Sequence, residues 1–175
     1  MAADTIRVGL AVVSLAVMGL GYSFFVADTA KEPPVIFNGD VLGPERGETR
    51  ADYQQRSRMS RREHHAPAFA YISFVRPIPA DLAGEIVLAV ERVNAVGVGE
   101  AAVIGIPETI TQPRGDHLEE QIRLKGLDPN AVTGLVVHAS PTTLDQVAQA
   151  SEVLAIEVLP SDARWGLFSV RPVSY

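Results

Sequence analysis

The residues able to do chemistry are few. The chain has four histidines, His64, His65, His117 and His138, and no cysteine. Without thiols there are no disulfides and no thiolate metal sites. His64 and His65 follow Glu63 directly. Neighbours on an extended chain point to opposite sides, so the two imidazoles do not converge on one ion. His117 stands in the first turn of a short acidic helix and reads as a surface residue. His138 ends a strand just before a helix cap. No nucleophile or base lies near it in sequence, so it reads as packed or half-exposed. Glu119 and Glu120 are adjacent on one helix and read as a solvated face, not as an acid–base pair. Gly97 and Gly99 in "AVGVGEAA" resemble part of a phosphate loop, but they follow a predicted helix instead of leading into one. Their N–H groups are then misplaced for a phosphate, and the pair reads as a helix-to-strand turn. The sequence therefore predicts no catalytic, metal-binding or cofactor-binding residue, and no cofactor.

The elements that hold these residues begin with an apolar stretch. Val8–Ala27, "VGLAVVSLAVMGLGYSFFVA", is twenty residues without a charge. As a helix it would span about 30 Å, the thickness of a bilayer's hydrocarbon core. Tyr22, Phe24 and Phe25 suit the interface at its end. A cleaved signal has a shorter apolar core and small residues at −3 and −1. Cleavage after Ala27 puts Phe25 at −3, and cleavage after Ala30 puts Asp28 there. The expectation is an uncleaved transmembrane signal anchor over 1–27. Gly19 and Ser23, four apart, would let a neighbouring helix approach closely. Arg7 and the amino terminus flank one end, while Lys31 at the other is offset by Asp28 and Glu32. The arginines at 56–62 lie beyond the window that sets topology. The cell membrane is the expected location, with a single pass and the folded domain on the extracytoplasmic side.

Residues 28–65 read as a Pro/Gly- and charge-rich arm. Pro33, Pro34 and Pro44 break helix, and "RSRMSRRE" reads as a charge run. Val35, Ile36 and Phe37 are apolar beyond the needs of a solvated tether, which marks them as candidate partner contacts. Net charge is −6 overall. Residues 1–27 and 28–65 each sum to zero, so the whole excess lies in 66–175. An acidic folded part argues against nucleic-acid binding, which needs clustered Lys and Arg.

Residues 66–175 alternate strand and helix. Phe69–Val75 reads as a strand. "PADLAGEIVLAVERVN" reads as a helix from Pro79, with Leu82, Ile86, Val90 and Val93 on its buried face. Glu100–Pro107 is a second predicted strand. A helical insertion at about 108–131 follows, its helix capped by Asp116 and stopped by Gly126. Val132–Ala139 is a third strand. A helix then starts at Ser140 and Pro141. "EVLAIEVLP" is a fourth strand, and "WGLFSVRPVS" a fifth strand or an extended tail. Two units of strand, turn, proline and leucine repeat (Pro79 and Leu82, Pro141 and Leu144). Each closes on a strand ending in proline, Pro107 or Pro160. The predicted class is α+β, a ferredoxin-like βαββαβ sandwich with two long helices on one face. Trp165, the single tryptophan, reads as core, or as an interface anchor, since tryptophan is over-represented at binding hot spots; it is carried as a candidate partner contact.

The layout of short N-terminus, anchor, Pro-rich arm and small acidic domain, with the strings "SFVRPIPADL" and "ARWGLFSVRPV", resembles small single-pass envelope proteins of actinobacteria. Some of these are accessory subunits of the respiratory cytochrome bcc–oxidase supercomplex. The resemblance implies a non-catalytic, membrane-anchored accessory subunit of a larger envelope complex, touching lipid and integral membrane partners. It carries over no functional residue. The alternative is a free-standing anchored domain that binds a small ligand or peptide.

Overall fold

The structure is a computed structural model that describes residues 39–100, 102–107 and 112–173. The predicted anchor, with Gly19 and Ser23, lies outside these residues, as do Val35, Ile36 and Phe37. Among the described residues no helix is long and apolar enough to cross a membrane. Everything below belongs to the compact unit Phe37–Tyr175.

That unit is α+β. Its elements are β1 (Val41–Leu42), α1 (Arg50–Arg62), β2 (Ala68–Ile78), α2 (Ala80–Ile86), β3 (Arg92–Val98), β4 (Ala102–Gly105), α3 (Arg114–Leu124), β5 (Val132–Ala139), α4 (Pro141–Val147), β6 (Val153–Val158) and β7 (Ser169–Val170). Five strands form one sheet in the order β4-β3-β5-β2-β6. Every neighbouring pair in it is antiparallel. β1 and β7 make a separate two-stranded parallel pair.

Alternation along the strands sorts the core into two layers. Ala70, Ile72, Val96, Leu135, Val137 and Ile156 face the layer that holds Ala83 and Val87, Leu118 and Ile122 of α3, and Leu144 and Val147 of α4. Tyr71, Ala95 and Val136 face the opposite side, where Leu42, Tyr53 of α1, Leu159 and Val173 cover them. The sheet is therefore buried on both faces.

This second cover overturns the reading of 28–65 as an arm in its latter half. Arg50–Arg62 is a thirteen-residue helix, longer than any other among the described residues, and only Tyr53 and Ser57 of it are buried. Its sequence is too polar for an apolar stripe to show. It is held instead by a local cap and by polar bonds to distant strands. Thr49 accepts a bond from the Asp52 N–H and donates its hydroxyl to the Asp52 carboxylate, which satisfies one of the helix's free N-terminal donors.

The first long predicted helix is also corrected. α2 stops at Ile86, and Val90 and Val93 lie past it, Val93 already inside β3. Ile86 is half-buried against the core, while Ala83 and Val87 are fully enclosed. β-branched residues crowd "VLAVERV", and pairing with β5 draws the chain into a strand at Arg92. The closing strand of the first repeat is thus β3, not 100–107. β4 is an added strand folded back on β3 through a turn at Gly99, whose φ is +61°. Gly97 is accordingly a buried strand residue and not a turn residue.

Other elements fall where the sequence placed them. β5 matches Val132–Ala139, and the Ser140 side chain caps α4 by accepting from the Thr143 N–H. α3 lies in the predicted insertion but starts at Arg114, with Pro113 at its cap in place of Asp116.

Candidate interaction surfaces

Trp165 is the one predicted contact residue among those described, and the structure does not put it in the core. It is 45% exposed. Three rings flank it or its neighbours. Phe69 on β2 lies 6.0 Å from Trp165 and 5.3 Å from Phe168, measured between ring centroids. Trp165 and Phe168 meet edge-on at 5.8 Å, and His138 meets Phe69 edge-on at 5.0 Å. Edge-to-face and tilted contacts at these separations suit aromatic quadrupoles. Phe69 and His138 are cross-strand partners of β2 and β5, so the sheet fixes the base of the cluster. The segment leading into β7 lays Trp165 and Phe168 over it. His138 is half-buried in this stack, as its place before the Ser140 cap suggested.

A second cluster ties α1 to the sheet. Glu157 on β6 is buried. Its carboxylate accepts from the Gly43 N–H at 2.7 Å and pairs with the Arg56 guanidinium. Arg56 also pairs with Glu48 at 2.9 Å and donates to the Gly43 carbonyl at 3.1 Å. Its guanidinium lies 5.4 Å from the Tyr53 ring centroid. Burial pushes the Glu157 carboxyl above its ordinary range, outweighing the Gly43 N–H and Arg56, which lower it. The hydrogen bond from Arg56 holds Glu48 below its ordinary range. Burial raises the Tyr53 phenol well above its usual value, and the Glu157 charge adds to this. Every charged group of the cluster is paired with another, so the cluster latches α1 to β6. "RSRMSRRE" hid it, because a single arginine in a charge run carries no sign of a partner about a hundred residues away.

A cleft of about 350 Å³ opens beside α3, lined by Glu91, Arg92, Ile106, Gln112, Arg114 and His117 among others. His117 is buried, contrary to its surface reading. Its Nε2 lies 2.7 Å from the Pro107 carbonyl oxygen, which can only accept. Nε2 therefore carries the proton, and Nδ1 accepts from the Gln112 amide at 3.1 Å. Both ring nitrogens are hydrogen-bonded, so His117 staples Gln112 and Pro107 to α3. Arg114 donates to the Val87 and Val90 carbonyls.

The remaining candidates are peripheral. Glu119 pairs with Arg123 one turn on, and Glu120 is exposed and accepts from Gln112. His65 is exposed. His64, read as solvated, is half-buried at the end of α1, and burial lowers its pKa. Among the described residues no three His, Asp or Glu side chains converge as a metal site. Comparison with protein-family profiles, with curated proteins and with solved structures finds no match.

Proposed function

We propose that the chain is a non-catalytic, membrane-anchored accessory subunit of a larger envelope complex, with its α+β domain on the extracytoplasmic side. The observation that carries this reading is Trp165, half-exposed on an aromatic base instead of buried. Tryptophan in that setting is typical of binding hot spots.

The sheet order β6-β2-β5-β3, with α2 joining β2 to β3 and α4 joining β5 to β6, favours a ferredoxin-like βαββαβ sandwich extended by β4. The layout resemblance makes a respiratory supercomplex the first partner to look for. Gentle detergent extraction of the full chain and affinity purification test the proposal. The expected result is a stoichiometric set of integral membrane partners, depleted when Trp165→Ala is used as bait. A lone chain from both baits would overturn it, leaving an anchored ligand-binding domain.

A further inference from the structure

The two edges of the five-stranded sheet are treated differently. At the β6 edge, α1 supplies partners for the strand's backbone. Gln54 donates to the Leu154 carbonyl at 3.1 Å, and the Ser60 hydroxyl accepts from the Val158 N–H at 3.0 Å. At the β4 edge no described residue gives the backbone such cover. Ile106 N–H bonds the Asn94 carbonyl, and the register pairs Ile104 with Val96 and Ala102 with Val98. Antiparallel bonds alternate, so the N–H and C=O of Val103 and of Gly105 point away from β3. Among the described residues nothing hydrogen-bonds them.

An open edge of this kind templates pairing with another strand, and proteins usually guard it with charge, proline or a bulge. The run 101–106, "AAVIGI", has no charge and no proline, and the β3–β4 register has no irregularity. We infer that β4 is a dimerisation edge, where two copies of this chain pair antiparallel across a two-fold axis at Ile104. The occupant follows from the hydrogen-bond pattern. The outward groups sit symmetrically on either side of Ile104, so a second copy in that register sets Val103 against Gly105 of the first, and the reverse. All four outward groups of each strand are then satisfied, and the contact closes as a dimer. Ile104 faces its own counterpart on the helical side of a continuous ten-stranded sheet. The inference does not rest on the membrane reading.

The absence of cysteine makes the test direct. Ile104→Cys in the full-length, detergent-solubilised chain introduces its one thiol. Residues facing each other in a non-hydrogen-bonded antiparallel pair have Cα atoms about 4.5 Å apart, within the range a disulfide spans. Mild oxidation with copper-phenanthroline is expected to convert most of the chain to a covalent dimer. Met59→Cys, exposed on α1, is expected to give little. Adding Val103→Pro removes an outward N–H while sparing every β3–β4 bond, and should cut the Ile104→Cys product at least tenfold. The urea midpoint reports whether that variant is folded. If it is not, the Ile104→Cys and Met59→Cys yields decide alone. No dimer from Ile104→Cys, equal yield from Met59→Cys, or undiminished yield in a folded Val103→Pro variant would overturn the inference. So would cross-linking in native membranes to a different protein instead of a second copy.

Discussion

Gly84 on α2 and Gly115 on α3 touch backbone to backbone. A Cβ built on Gly84 would lie 2.4 Å from the Gly115 nitrogen, and one on Gly115 would lie 2.8 Å from the Asp81 Cα. The atoms in the way are main chain, which cannot swing aside. Gly84→Ala is therefore expected to push the two helices apart and destabilise the domain by about 1–3 kcal/mol, the usual cost of overpacking. Urea unfolding of the full chain checks this. An unchanged midpoint would mean that α2 and α3 do not meet there.

The latch on α1 gives a second test. Arg56→Ala leaves the buried Glu157 with only the Gly43 N–H. The expected loss is about 1–3 kcal/mol, since Arg56 is one-third exposed and Glu157 can take up a proton instead. Arg58→Ala, a neighbouring exposed arginine, should cost less than about 0.5 kcal/mol. Equal costs would reduce Arg56 to an ordinary surface charge.

The same latch sets a pH dependence. Glu157 is raised above its ordinary 4.5 by burial, so the folded chain holds that proton more tightly than the unfolded one. Its contribution is full below 4.5 and is lost as pH rises through the folded value. Glu48, lowered from 4.5 by Arg56, works in the opposite sense: its contribution is present above 4.5 and lost as pH falls. Glu157→Gln should flatten the decline in stability above about pH 4.5 and leave the acid-side loss in place. Thermal midpoints across that range decide it, and an unaltered slope would assign the decline to another group.

His117 predicts a spectroscopic signature. With Nε2–H donating to Pro107, ¹⁵N NMR should show the neutral ring as the tautomer with a pyrrole-type Nε2 and a pyridine-type Nδ1. The reverse tautomer would break the Pro107 bond and leave the staple without its anchor.

Trp165 is the chain's one tryptophan, so its fluorescence reports a single site. Acrylamide should quench it readily in the free chain and poorly in the purified complex. Equal quenching in both would remove Trp165 from the interface.

What the sequence made legible is the part built from local signals. β5 is a run of β-branched residues bounded by turns, and Ser140-Pro141 marks a helix start without any tertiary information. Trp165 was legible as a residue of interest, but its exposure depends on how the segment before β7 crosses β2. The misreadings share a cause, which is distance along the chain. Val90 and Val93 fit a helical stripe until β5 supplies a strand to pair with. α1 had one local sign, the Thr49 cap ahead of seventeen residues free of proline and glycine, but its reason to dock lies at Glu157. His117 looked exposed because the Pro107 carbonyl that buries it precedes its helix.

The span between Arg56 and Glu157 also has a consequence in time. Their separation is 101 residues. A ribosome adding about 5–20 residues per second makes α1 some 5–20 seconds before the strand it docks on. Through that interval the newborn chain carries a finished basic segment with no acidic seat. The sheet cannot receive it until β6 is synthesised, and β1 cannot be clasped until β7 follows. Maturation of this domain is therefore tied to the synthesis of β6 and β7, well after α1.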